Sequence, residues 1–187
     1  MLNHLPNILT FSRIILAPAL VAVYFLPVNY IDWVALIIFI IAGITDFLDG
    51  YLARTFSKQS RIGTLFDPIA DKLIVSVAIV MLVMNDSIIG INIIPGIIIL
   101  SREIVISSLR AFLVESNGGE TLPVTKLTKF KTTIQIISLC FLLGGDSLDK
   151  IVPINSMEMG IWFLWIAAII TIYTGYDLLR KGLLKIH

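Results

Sequence analysis

Four aspartates and several small residues stand close together in DFLDGYLARTFSKQSRIGTLFDPIADK, residues 46–72. On a helix each residue advances 100°, so Asp46, Asp49, Gly50 and Ala53 share one face. Two carboxylates there flank two of the smallest residues, which leaves room for a bulky group to approach the backbone. Asp67 and Asp71 are four apart and stack on the next helix. Asp67–Pro68 reads as the start of that helix, with proline in its first turn. A hairpin of the two helices would bring both pairs together. Four unpaired carboxylates at the edge of an apolar phase repel one another and resist desolvation. Divalent cations relieve both problems, and an all-oxygen set without histidine or cysteine selects Mg2+ or Mn2+, two of which balance four charges. The competing reading is a solvated turn whose acids pair with Arg54, Lys58, Arg61 and Lys72. The small residues weigh against it, because a salt-bridged surface does not require them.

The elements that must carry this cluster are apolar. The chain has 187 residues, 57% hydrophobic and 14% charged, with a mean hydropathy of +0.95, which excludes an ordinary soluble domain. A membrane span needs about 20 mostly apolar residues, and six such runs appear, roughly 7–27, 32–52, 68–90, 93–115, 128–145 and 159–180. They use most of the chain, so the expected fold is all-α, one six-helix transmembrane bundle over residues 1–187. Arg13 lies inside the first run and no small-residue cleavage pattern follows it, so that run reads as a retained helix. Cys140 is the sole cysteine, which rules out an intrachain disulfide.

Net charge is +1, and its distribution is more informative than its sum. Arg13, Arg54, Lys58, Arg61, Lys72, Lys126, Lys129, Lys131, Arg180, Lys181 and Lys185 fall on one set of termini and loops. The other set carries Lys150 among Asp146, Asp149 and Glu158. The positive-inside rule then puts both termini and the aspartates on the cytoplasmic side. Trp33, Trp162, Trp165, Tyr173 and Tyr176 read as an interfacial aromatic belt.

A second group of charges lies in the fourth and fifth runs. Arg102 and Glu103 fall near mid-span in IIPGIIILSREIVISSLRAFLVES, and Arg110 lies two turns further on. Intramembrane charges are costly and face internal cavities. Arg102 and Glu103 could act as helix-to-helix glue, but adjacent residues diverge by about 100°. Arg110 lacks a local partner and is better placed to meet an anion. Lys126, Lys129 and Lys131 open the fifth run, as a flank for anionic lipid heads or as phosphate ligands.

The pattern Asp46-x-x-Asp49-Gly50-x-x-Ala53-Arg54, eight residues, then Gly63-x-x-x-Asp67-x-x-x-Asp71 resembles the complete motif of the CDP-alcohol phosphotransferases. The resemblance implies that Asp46, Asp49 and Asp67 bind metals, and that Asp71 touches the second metal and serves as general base. It also implies that Gly50, Ala53 and Gly63 admit the CDP group while Arg54 helps hold its phosphates. PNILTFSR is similar to the N-terminal segment of many members, placing Asn7 and Thr10 near the nucleotide, although Asn7 reads equally well as a helix cap. SREIVISSLR together with Thr128-Lys129-Phe130-Lys131-Thr132 resembles the phosphatidylglycerophosphate synthase branch, with Thr128 where glycine is usual.

The branch resemblance implies phosphatidyl transfer from CDP-diacylglycerol to glycerol 3-phosphate. Arg110 and Lys131, then Arg102 and Lys129, would hold the acceptor phosphate. It also implies a homodimer in membrane lipid, in a bacterial cytoplasmic membrane with the site facing the cytoplasm, and no nucleic-acid partner. Alternatives are a phosphatidylinositol-phosphate synthase, whose acceptor also carries phosphate, another CDP-alcohol phosphotransferase, a membrane prenyltransferase, or a divalent-cation carrier. A carrier would string its acids along a pore, whereas these collect at one end.

Overall fold

A computed structural model describes residues 5–27, 30–56, 61–116 and 126–186. Among them the protein is all-α: α1 Leu5–Val23, α2 Ile31–Phe56, α3 Arg61–Met84, α4 Ile93–Ser116, α5 Lys126–Asp149 and α6 Ser156–Ile186, with a 3-10 turn at Gly90–Asn92. The six expected helices therefore form. Three of them contain stretches long and apolar enough to cross a membrane: Ile31–Leu48, Leu127–Asp149 and Ser156–Gly182. Shorter apolar stretches, Leu9–Val23 and Lys72–Met84, lie in α1 and α3. In α4 the charges of Arg102, Glu103 and Arg110 divide the apolar run. Large side chains such as Ile15, Phe47, Ile104 and Ile169 remain exposed, which suits a lipid solvent far better than water.

Several helix limits differ from the sequence expectation. The third helix starts at Arg61, not at Pro68, which lies inside it. Its first turns are polar, so hydropathy does not see them, and Asp67–Pro68 mimics a start. The missing proline N–H leaves the carbonyl four residues back without its intrahelical donor. The expected long loop after residue 145 is shorter, because α5 resumes beyond a break at Gly145 and ends at Asp149. Gly145 has φ 42° and ψ −138°, a left-handed backbone that glycine adopts without a Cβ penalty.

The chain divides into two compact units, one formed by residues 1–87 and 140–156, the other by 88–139 and 157–187. In the first, α1 packs on α2 and α3, which also touch each other. Each contributes a stripe at three- and four-residue steps: Thr10, Arg13, Ala17 and Leu20 on α1; Ala35, Phe39 and Ala42 on α2; Ala70, Ile74, Ala78 and Leu82 on α3. That spacing is the buried face of a helix. Ser147 Oγ donates to Asp32 Oδ2 at 2.8 Å, and the Ser156 N–H donates to Asp149 Oδ1 at 2.8 Å, tying the 140–156 segment down and capping the first turn of α6.

In the second unit Ile106 and Leu113 of α4 close on Leu178 of α6, with Leu109 and Leu179 beside them. Two glycines of α6 allow this approach. A Cβ at Gly182 would stand 2.7 Å from Leu109 Cδ2, and one at Gly175 would stand 3.1 Å from Arg102 Cγ. Ser138 of α5 donates to the Gly160 carbonyl of α6 at 2.7 Å. Trp162, Tyr173 and Tyr176 are exposed, as an aromatic belt requires. Trp165 is half-buried, and its Nε1 donates to Asn92 Oδ1 at 3.0 Å.

Candidate active site

The acidic cluster begins on α2 one turn beyond Ala42, where Asp46 continues the stripe of Ala35, Phe39 and Ala42. Arg13 occupies the matching stripe of α1 with 0% of its side chain exposed, and its Nη1 donates to Asp46 Oδ1 at 2.6 Å. Two residues earlier, Phe11 meets Phe66 of α3 with ring centroids 5.8 Å apart and planes tilted by 41°. One turn of α1 therefore holds α2 at the first aspartate and α3 at the residue before Asp67. Thr10 is also buried on this turn.

Sequence reasoning counted Arg13 as a cytoplasmic charge and missed the ion pair. The signal was available in the three- and four-residue steps from Thr10 through Arg13 to Ala17 and Leu20. α2 runs unbroken through Asp46, Asp49, Gly50, Ala53 and Arg54, and α3 through Gly63, Asp67 and Asp71. The side-chain surroundings of these residues other than Asp46, and of Asn7, lie outside the described residues.

Asp46 keeps 54% of its side-chain surface exposed beside Arg13. Half-open, and one of four carboxylates with no nitrogen or sulfur donor among them, it fits a hard divalent cation. The ion pair makes a prediction about stability. Asp46→Ala withdraws an anion from a buried guanidinium, a contact worth about 1.5–3 kcal/mol. Asp46→Asn keeps an oxygen acceptor for Arg13. Thermal unfolding in detergent is expected to rank parent, Asp46→Asn and Asp46→Ala in descending stability. Equal losses in the two variants would show that the Arg13 contact does not set stability here.

The basic cluster sits in the second unit. Lys131 is 2% exposed, and its Nζ donates to Glu103 Oε1, linking α5 to α4. Arg102 Nη1 reaches the same oxygen at 3.4 Å. The expected 100° divergence of Arg102 and Glu103 did not prevent this contact, because backbone register fixes Cβ positions while two long side chains can converge. Arg110 lies within electrostatic range of Arg102. In this cluster three guanidinium nitrogens, Arg102 Nε and Nη2 and Arg110 Nε, are buried without a hydrogen-bond partner among the described residues.

Buried N–H groups of a cation that lack acceptors are costly. Such groups suit an anion with several oxygens. Arg102 and Lys131 meet at Glu103, and Arg110, chosen from sequence like them, is linked to them through its electrostatic contact with Arg102. Lys129, chosen with them, is exposed, about 200° round α5 from Lys131. Glu103 was read from sequence only as part of a structural pair.

Residues 3–173 match the family model for CDP-alcohol phosphatidyltransferase. The chain is similar to a Haemophilus influenzae protein named CDP-diacylglycerol–glycerol-3-phosphate 3-phosphatidyltransferase, 40% identical over 95% of this chain and 92% of the relative. It is 38% identical to a protein of the same name from Cereibacter sphaeroides, over 96% of this chain and 95% of the relative. A third of that name, from Rickettsia felis, is 37% identical over 94% and 93%.

Proposed function

The chain belongs to the CDP-alcohol phosphatidyltransferase family, and from that premise we propose that it transfers the phosphatidyl group of CDP-diacylglycerol to glycerol 3-phosphate. It is a membrane-embedded phosphatidyltransferase, and its products are phosphatidylglycerophosphate and CMP. The observation that carries the acceptor assignment is the set of buried guanidinium N–H groups on Arg102 and Arg110 that have no partner among the described residues, with Arg102 meeting buried Lys131 at Glu103. The names of relatives that align over nearly their whole length support the same acceptor.

Residues 1–187 are read as one catalytic domain. All six helices cross the membrane, with α1, α3 and α4 completing their spans from less apolar sequence, and both termini face the cytoplasm. The bias of arginine and lysine supports that orientation. The aspartates therefore work at the cytoplasmic face of a bacterial inner membrane, and the protein acts as a homodimer.

Asp46, Asp49, Asp67 and Asp71 hold two Mg2+ or Mn2+ ions, which when bound supply positive charge to the diphosphate and the departing CMP. Gly50, Ala53 and Gly63 leave the helix backbones open to the CDP group, Arg54 holds its phosphates, and Asn7 and Thr10 lie toward the nucleotide. Arg110 and Lys131, supported by Arg102 and Lys129, hold the phosphate of glycerol 3-phosphate. Asp71 takes the proton from the acceptor hydroxyl as that oxygen bonds to the phosphatidyl phosphorus. The bond from that phosphorus to the bridging oxygen breaks, and CMP leaves with the electron pair.

An acceptor panel tests this reading. Purified protein given CDP-diacylglycerol and Mg2+ or Mn2+ is expected to release CMP with glycerol 3-phosphate and to turn over inositol phosphate, serine or glycerol far more slowly. Preference for inositol phosphate would overturn the acceptor and keep the chemistry. Absence of CMP release with every acceptor would point to a prenyltransferase or a cation carrier instead.

A further inference from the structure

Lys131 and Arg102 both reach Glu103 Oε1, from α5 and α4 respectively. We infer that Glu103 is the positioning residue of the acceptor-phosphate site, holding these two cations in the geometry that receives the phosphate. The inference rests on the assignment of Lys131 and Arg102 to that phosphate. A lysine ammonium on a four-carbon stem has no preferred direction of its own, and ordering it costs rotamer entropy. At 2% exposure Lys131 has little water to hold it, so a fixed carboxylate oxygen decides where its three donors point. The shared oxygen orients Arg102 as well. Its Nη1 faces Glu103, while Nε and Nη2 have no acceptor among the described residues.

Charge supports the same role. Arg102, Arg110 and Lys131 with Glu103 sum to +2, the complement of a phosphate monoester dianion, whereas three cations alone would crowd buried like charges together. Glu103 therefore lets the cations remain assembled before the acceptor arrives. It does not touch the reacting atoms, and it acts through Lys131 and Arg102.

The test is a double-mutant cycle on the whole protein in detergent. Glu103→Ala is expected to raise KM for glycerol 3-phosphate about tenfold and to leave KM for CDP-diacylglycerol within about twofold. In a Lys131→Ala background the same change should add clearly less than that tenfold, because one of the two residues it positions is gone and only Arg102 remains to be oriented. Glu103→Gln, which keeps an oxygen acceptor, should fall between parent and Glu103→Ala, and serves if the alanine variant folds poorly. In metal-free detergent, where no turnover occurs, glycerol 3-phosphate should raise the melting temperature of the parent, less that of Glu103→Gln, and not that of Lys131→Ala.

Equal rises in both KM values, or effects that multiply in the double variant, would make Glu103 a packing contact and overturn the inference. Lys131→Ala raising the acceptor KM while Glu103→Ala leaves it unchanged would overturn this role alone. Lys131→Ala without effect would remove the acceptor assignment itself and this inference with it.

Discussion

Asp67→Asn and Asp71→Asn are each expected to reduce CMP release by on the order of a hundred- to ten-thousandfold, the range that loss of a metal ligand or a general base would give. Asparagine keeps the size of aspartate and an oxygen, but it would remove the charge proposed to balance a divalent cation and the basicity proposed to accept the hydroxyl proton. These two positions are cleaner than Asp46, whose carboxylate also holds buried Arg13 and whose substitution therefore mixes stability with rate. The measurement is initial CMP release by purified, metal-supplemented protein with both substrates saturating, alongside a melting curve for each variant. Near-normal turnover in either folded variant would remove the aspartates from the chemistry.

The helices were legible because each apolar run must satisfy its backbone internally, and a run of span length has few other solutions in lipid. The polar ends were not. α3 begins at Arg61 and α6 reaches Ile186, in segments where charge hides the helix from a hydropathy reading. Arg102 and Arg110 were legible as costly charges inside an apolar run, and Lys131 as one of three lysines opening the next. Their common partner was not, since Glu103 meets Lys131 across 28 positions of sequence, and Arg13 meets Asp46 across 33. Pairings of that kind depend on which helix faces lie together. Local spacing does not encode that choice, although it does reveal which face of each helix is buried.

Arg110→Ala and Lys131→Ala are expected to lower kcat/KM for glycerol 3-phosphate by about ten- to a hundredfold, with CDP-diacylglycerol binding little changed. Each would remove a proposed charge-assisted hydrogen bond to phosphate, worth about 1.5–3 kcal/mol. Arg110 carries a buried Nε without an acceptor among the described residues, so its deletion would give up an interaction that the phosphate would complete. Lys131 already spends one donor on Glu103, and an ammonium offers three. Lys129→Ala, at an exposed position, should cost less, and Lys126→Ala least. A glycerol 3-phosphate titration at saturating CDP-diacylglycerol reads all four. Equal, mild effects would reduce the basic residues to markers of the cytoplasmic side.

The space left by Gly175 has a consequence for how substrate preference can drift. Arg102 passes so close to this position that a single added methyl carbon would meet its Cγ at 3.1 Å, tighter than ordinary carbon contact. The arginine's aliphatic arm would have to shift by a few tenths of an ångström, and its charged end would swing with it. A catalytic geometry is sensitive on that scale, where misplacements of about 1 Å can cost a hundredfold. Under the acceptor assignment proposed above, the reach of Arg102 on α4 would be adjustable from α6 by changes in side-chain bulk alone, with every charge in the cluster retained. Acceptors of different size would then become accessible in small steps, through a residue that neither binds them nor carries charge.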